Sequence, residues 1–174
     1  MKKKVILISF HDRICLSTRL LSSILKHHGH VVYLIFLKDD RSEIIEDFDS
    51  DAKYHQYIFN NNFHGCGEDV NPTTDQEIEL VLNKALEIRP DVIGISSRSV
   101  ALKEANTLVN RLREVLPDVR YIGGGFGPTV EPKEFLKFLD FVCIGESERV
   151  INSLVSLDNP KNISNIAWIE NGIL

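Results

Sequence analysis

Five apolar runs without polar alternation constrain this chain more than anything else in it: Val5 to Ile8, His30 to Phe36, Asp91 to Ser96, Val119 to Ile122 and Phe141 to Ile144. A strand with one wet face alternates. A strand covered on both faces does not, and such β-branched and aliphatic runs mark the inside of a parallel sheet. Helical patterns separate them. Ser17 to His28 carries Leu20, Leu21, Ile24 and Leu25 on one face and stops at Gly29. A helix from Thr74 turns Ile78, Val81, Leu82, Ala85, Leu86 and Ile88 inward and ends before Pro90, and another runs from Ala101 to Leu116 with Leu108, Leu112 and Val115 inward. Pro132 to Leu139 and Glu146 to Leu157 read as shorter helices. The expected fold is therefore α/β, a doubly wound five-stranded parallel sheet of order 2-1-3-4-5 with right-handed crossovers.

Composition narrows the function. With 174 residues the chain is one domain, and 20 Lys+Arg against 25 Asp+Glu leave a net charge of −5, unsuited to neutralising nucleic-acid phosphates. No apolar run approaches a membrane span, and the run after Lys2-Lys3-Lys4 is too short for a signal peptide. Cys15, Cys66 and Cys143 are too few and too scattered for a disulfide framework, which places the chain in a reducing cytoplasm. Residues 38–74 show no clear periodicity. Ile163 to Glu170 reads as an edge strand, followed by the hairpin signal Asn171-Gly172 and only two further residues, so a fragment of a longer protein is expected.

In an open parallel sheet the ligand lies outside the carboxyl ends of the strands, where strand order reverses. Four segments meet there: Ser9 to Ser17, Ser96 to Val100, Gly123 to Thr129 and Gly145 to Glu148. A G-x-G-x-x-G fingerprint is absent, since Gly123, Gly125 and Gly127 follow the fourth strand and Pro128 stands at the last glycine position. Cys15 and Arg19 have three residues between them where a thiol phosphatase loop needs five, and Ser96 stands where a receiver domain needs an acid. His64-Gly65-Cys66 lacks a second ligand pair, and Cys143 in a buried run is a small core hydrophobe. What is left is a slot of hydroxyls and bare backbone: Ser96-Ser97-Arg98-Ser99 beside Gly123-Gly124-Gly125. Either it admits a long polar group, or the serines cap a helix and the glycines make a turn.

The stretch from Pro90 to Val150 carries D-V-x-G-x-S, then G-G-x-x-x-P-T followed by P-x-E, then D-x-V-x-x-G-E-x-E. It resembles the cobalamin-binding domain at the N-terminus of many radical S-adenosylmethionine enzymes, and with the first strand, helix and strand the resemblance covers most of residues 4–157. It implies a flavodoxin-like fold holding the nucleotide tail of cobalamin in the crevice. By resemblance, residues 1–158 are the cobalamin-binding domain and 159–174 begin a linker to a C-terminal radical domain in the same polypeptide. That domain would bind S-adenosylmethionine and a [4Fe-4S] cluster through C-x-x-x-C-x-x-C, a spacing Cys15, Cys66 and Cys143 cannot supply. This chain is then expected to bind cofactor without catalysing, the full-length protein being an enzyme, with methyl transfer to an unreactive carbon one such reaction.

The residues implied around the cofactor come from the same segments: His11 and Asp12; Ser96, Ser97, Arg98 and Ser99; Gly123, Gly124, Gly125, Phe126 and Gly127; Gly145 and Glu146. Related methyltransferases and mutases carry D-x-H-x-x-G after the first strand, the histidine ligating cobalt. Here His11 fills the histidine position while Ser9 and Ile14 replace the aspartate and glycine. The resemblance therefore leaves two readings: cobalt ligation by His11, or, as in most radical members, base-off cobalamin with no histidine ligand. Arg98 stands where the related pattern is S-x-L. Those departures also favour a rival, a flavodoxin-like interaction or sensory module with a degenerate cofactor site; a nucleotide-dependent enzyme is disfavoured by the missing fingerprint.

Overall fold

The computed structural model describes residues 2–10, 15–37, 73–156 and 159–170. Its sheet runs β2-β1-β3-β4-β5-β6, built from β1 (Lys4–Phe10), β2 (Val31–Leu37), β3 (Val92–Ser96), β4 (Arg120–Gly124), β5 (Phe141–Cys143) and β6 (Ile166–Ala167). The first five strands are parallel in the expected order. The sixth pairs antiparallel with β5 through Ile166 and Ala167, so the strand expected over Ile163 to Glu170 joins β5 over those two residues alone, with a separate single-residue bridge at Glu170. The Asn171-Gly172 turn, the 38–72 segment with His64 and Cys66, and His11 and Asp12 lie outside the described residues.

The helices are α1 (Leu16–His27), α2 (Asp75–Ile88), α3 (Leu102–Val115), α4 (Phe126–Val130), α5 (Pro132–Phe135) and α6 (Ile151–Ser156). Thr74 caps α2 through a reciprocal box with Glu77, which satisfies two otherwise orphaned amides. On one face of the sheet, Ile6, Ile8, Ile93, Ile95 and Tyr121 pack against α2 and α3, with Leu82, Ala85, Leu108 and Leu112 at the centre. Each such leucine or isoleucine contributes about 1.5–3 kcal/mol by leaving water. The other face is smaller: Val5, Leu7, Val92 and Ile122 lie under Leu25 of α1 and Ile151 and Val155 of α6.

Several expectations are corrected. Leu20 and Leu86 are exposed, because at ~100° per residue they fall well off the stripes centred on Thr18, Ser22 and Leu25 and on Ile78, Leu82 and Ala85. Val115, in the last turn of α3, is exposed too. β2 is an edge strand with Tyr33 exposed, not a strand buried on both faces. The glycine-rich segment is only partly loop, since Gly123 and Gly124 end β4 and Phe126 begins α4. The helix expected from Glu146 starts at Ile151, because Gly145 takes a φ of +72° and Ser147 folds a turn whose carbonyl accepts from the amides of Val150 and Ile151. Pro132 to Leu139 is helical only to Phe135, then tightens into a turn.

The amino-terminal edge is held by polar anchors. Asp91 accepts from the Lys4 amide at 2.8 Å and the Lys3 ammonium at 3.2 Å, tying β1 to β3. Burial works against its charge, but the Lys4 amide and the lysine charges outweigh it and hold its carboxyl below the usual range. A carboxyl depressed in the folded state stabilises above its unfolded pKa, near 3.9, and loses that contribution as pH falls through the lower folded value. Asp91→Asn is therefore expected to flatten the acid limb of the stability curve. Urea midpoints measured from about pH 6 down to about pH 2 test this; parallel curves for the two proteins refute it. Asp140 anchors the next strand, accepting from the Tyr121 amide at 2.7 Å and from Arg113 at 2.6 Å, while the Arg113 guanidinium lies 4.5 Å from the Tyr121 ring centre.

Candidate functional site

The α1–α6 face of the sheet is incomplete. Register places Leu7, Gly94 and Ile122 in one row across β1, β3 and β4. Gly94 presents no side chain in the middle of this row, and Leu7 leans over it: a Cβ there would sit 2.7 Å from Leu7 Cδ2 and 3.6 Å from Ile122 Cγ1. Two residues further on, the row is Ser9, Ser96 and Gly124, the carboxyl edge itself. Above this row, the first turns of α1 and the 145–148 loop line opposite parts of one cavity. The result is a cavity of about 350 Å³, in the range of small-molecule sites, open at the point where strand order reverses.

Its deep end is apolar, with Leu7, Gly94, Ile122, Leu21 and Ile151, and its mouth is polar, with Ser17, Thr18, Ser96, Thr129, Ser147 and two glutamates. The glycine loops are held in place at the mouth. Thr129 Oγ1 donates to the Gly125 carbonyl at 2.8 Å and accepts from the Gly145 amide at 3.0 Å, so one hydroxyl joins the loops after β4 and β5. Gly125 has a φ of +95°, a conformation glycine adopts without strain, and the Ser97 carbonyl lies 3.0 Å from where a side chain would begin. Phe126, directly after it, is 69% exposed at the rim.

Two thiols border this region. Cys15, at the start of α1, has its Sγ 2.8 Å from Thr18 Oγ1 and 3.9 Å from Ser96 Oγ. Burial pushes its thiol up, but hydrogen bonds with Ser9, Thr18 and Ser17 outweigh burial and leave it below the ordinary value. Cys143 is buried in β5, as expected of a core residue, and also lines the cavity. Burial raises its thiol and a hydrogen bond with Ser147 offsets that in part, so it stays protonated at neutral pH.

Of the residues expected around a cofactor, Ser96, Gly123, Gly124, Gly125, Phe126, Gly145 and Glu146 line the cavity. Ser97, Arg98, Ser99 and Gly127 do not. Ser97 is buried, its amide donating to Gly124 and its hydroxyl to the Arg98 carbonyl, and the Gly127 amide donates to the Ser97 carbonyl at 3.0 Å. These residues brace the rim. The serines do not cap the helix that follows, since neither α3 nor the 3-10 turn Ser99–Ala101 before it has a side-chain cap. Sequence reasoning missed the floor, Leu7, Gly94, Ile122, Leu21 and Ile151, and the brace Thr129. The signals were present: a glycine inside an otherwise bulky strand, and the threonine ending G-G-x-x-x-P-T. Among the described residues no cluster of three His, Cys, Asp or Glu could hold a metal, and no helix is long and apolar enough to cross a membrane.

A family model described as B12 binding domain matches residues 63–155. Among solved structures, the chain is similar to the apo form of the cobalamin-dependent S-adenosylmethionine radical enzyme OxsB, at 17% identity and a TM-score of 0.63, covering 99% of this chain and 21% of that one. It is also similar to a cobalamin-binding protein from Desulfitobacterium hafniense DCB-2, at 15% identity and a TM-score of 0.55, covering 90% of this chain and 59% of that one. At these identities the likeness is one of fold, and the chain spans about a fifth and about three-fifths of the two proteins. No curated protein sequence matches it.

Proposed function

Because this chain belongs to the B12-binding domain family, we propose that its cavity takes the nucleotide tail of cobalamin and that the corrin lies across the rim. The observation that carries the reading is the cavity over Leu7, Gly94 and Ile122, apolar along that row and lined by hydroxyls toward the carboxyl edge, at the reversal of strand order. Leu7, Leu21, Ile122 and Ile151 would enclose the base of the tail. Ser96, Ser17 and Thr18 would meet its sugar and phosphate, and the bare backbone of Gly124 and Gly125 lets the tail pass close to the sheet edge. Exposed Phe126, which lines the cavity, offers the corrin an apolar seat. When bound, cobalamin supplies a cobalt centre able to carry a methyl group. The chain's own part is to bind and orient the cofactor, with the hydroxyls donating and accepting at the mouth and the apolar floor excluding water.

The test uses purified protein mixed with hydroxocobalamin, or with cobinamide, which lacks the nucleotide tail, then desalted and read by visible absorbance. Cobalamin is expected to elute with the protein and cobinamide to be lost. Absence of corrin absorbance from the protein fraction with both ligands overturns the reading, and equal retention of the two overturns the assignment of the tail to the cavity.

For the full-length protein, residues 1–158 are read as the cobalamin module and 159–174 as the lead into a radical S-adenosylmethionine domain. Support comes from the fold shared with about a fifth of OxsB. A C-x-x-x-C-x-x-C in the coding sequence after Leu174 is the expected signature, and a stop codon there refutes it.

A further inference from the structure

We infer that the free edge of β2 is an interface between two copies of this chain, which pair their β2 strands antiparallel about a twofold axis at Leu34 and join their sheets into one.

β2 is the outermost strand and matches β1 residue for residue over all seven positions, without a bulge. Its Val31 amide donates to the Lys3 carbonyl at 2.8 Å. In a parallel pair a residue turns its amide and its carbonyl to the same side, and successive residues alternate. Val31, Tyr33, Ile35 and Leu37 therefore bond to β1, while the backbone of Val32, Leu34 and Phe36 points outward. Among the described residues nothing pairs with those three amides and three carbonyls. Sheet edges are ordinarily blunted by shortness, charge, proline or a bulge. The far edge is blunted in this way, since β6 is two residues long. β2, Val-Val-Tyr-Leu-Ile-Phe-Leu, carries none of these devices.

A second copy is the occupant that this edge fits. Leu34 is the middle one of the three outward residues, so antiparallel pairing centred there sets Leu34 against Leu34 of the second copy and Val32 against its Phe36. Every outward amide then meets a carbonyl, and the three pairs close six hydrogen bonds. Side chains agree with that register. Val32 and Leu34 belong to the α1 face, and Tyr33, aligned with Ile6, to the other, where it opposes Ile35 of the second copy in a close aromatic and β-branched pair. Neither strand brings a charge to the seam. The nearest cation, Arg19, lies over its own Phe36 ring at 4.7 Å. The two Phe36 rings are four residues apart along the new ladder, about 14 Å, which exceeds a Debye length at physiological salt. Antiparallel pairing also points the carboxyl ends of the two strand sets in opposite directions, so both cavity mouths stay open.

The experiment is sedimentation equilibrium of the purified protein from about 5 to about 500 μM, with amide hydrogen exchange at both ends of that range. A monomer–dimer equilibrium is expected. At high concentration the amides of Val32, Leu34 and Phe36 should be protected and should lose protection on dilution, while those of Tyr33 and Ile35 stay protected throughout. Leu34→Pro removes one outward amide without touching the β1 ladder and is expected to raise the dimer dissociation constant at least about tenfold, with the circular dichroism unchanged. A protein monomeric over the whole range, a dimer whose three outward amides exchange freely, or a dimer undisturbed by a folded Leu34→Pro variant overturns the inference. If Leu34→Pro fails to fold, the exchange measurement on the parent protein decides alone.

Discussion

Gly94→Val is expected to lower cobalamin affinity by roughly a hundredfold, about 2.7 kcal/mol, while leaving the protein close to its original stability. The Cβ of the new residue lies between Leu7 and Ile122, and the atom it meets, Leu7 Cδ2 at 2.7 Å, is the tip of a side chain that can turn aside. Valine also suits a strand better than glycine, which weakens a strand interior by roughly 0.5–1 kcal/mol. Displacing the Leu7 tip into the cavity beside it therefore costs the fold little and takes up space the ligand needs. Titration and thermal unfolding of the same preparation separate the two effects. Undiminished affinity in a folded Gly94→Val protein would place the tail elsewhere.

Gly127→Ala should do the reverse, destabilising the fold by about 3 kcal/mol, or ~6–12 °C in Tm for a domain of this size. Helix propensity taken alone argues the other way, since alanine in a helix interior is favoured over glycine by about 1 kcal/mol. Gly127 lies within α4, but its absent side chain is what lets the helix seat on the 97–99 segment. A Cβ would stand 2.7 Å from Arg98 C and from Ser99 N, both backbone atoms, and 3.0 Å from Phe135 Cζ. Backbone that also pairs with Gly124 and Gly127 cannot yield without pulling open the rim. Urea denaturation decides the sign. An alanine variant as stable as the parent, or more so, would show that the seat is looser than these distances require.

The order of the five parallel strands and the location of the crevice were legible because long apolar runs leave little choice of architecture. Ile8, Ile93 and Ile95 are buried as their unbroken runs required. Helix faces were less legible at their margins: Leu20 is hydrophobic yet exposed, while Thr18 and Ser22 face inward, because α1 meets the sheet beside a cavity and not over a full core. The site divided along a similar line. Rim residues announced themselves through hydroxyls and glycines, whereas the floor is made of leucines and isoleucines that differ from core residues only in what is missing beside them. Whether Leu7 lines a void or a packed interior depends on Gly94 across the sheet and on Leu21 and Ile151 above it, a conjunction that no local window contains. Ser9 shows a subtler case. It holds the position of the aspartate that orients a ligating histidine in related domains, yet here it is buried and hydrogen-bonded to Cys15, so its partner is the start of α1.

The antiparallel course of β6 has a consequence for how anything could be built onto this domain. The five parallel strands all deliver the chain to the rim of the cavity, but β6 enters beside Cys143 and descends past Val142, away from that rim. An ion pair of 3.0 Å between Lys161, ahead of β6, and Glu170, after it, ties the two flanks of that strand together. A lid joined by a tether that kept the direction of β6 would start out leading away from the mouth and would have to climb the flank of the sheet to reach it, so the tether, and not only the lid, would wrap the domain.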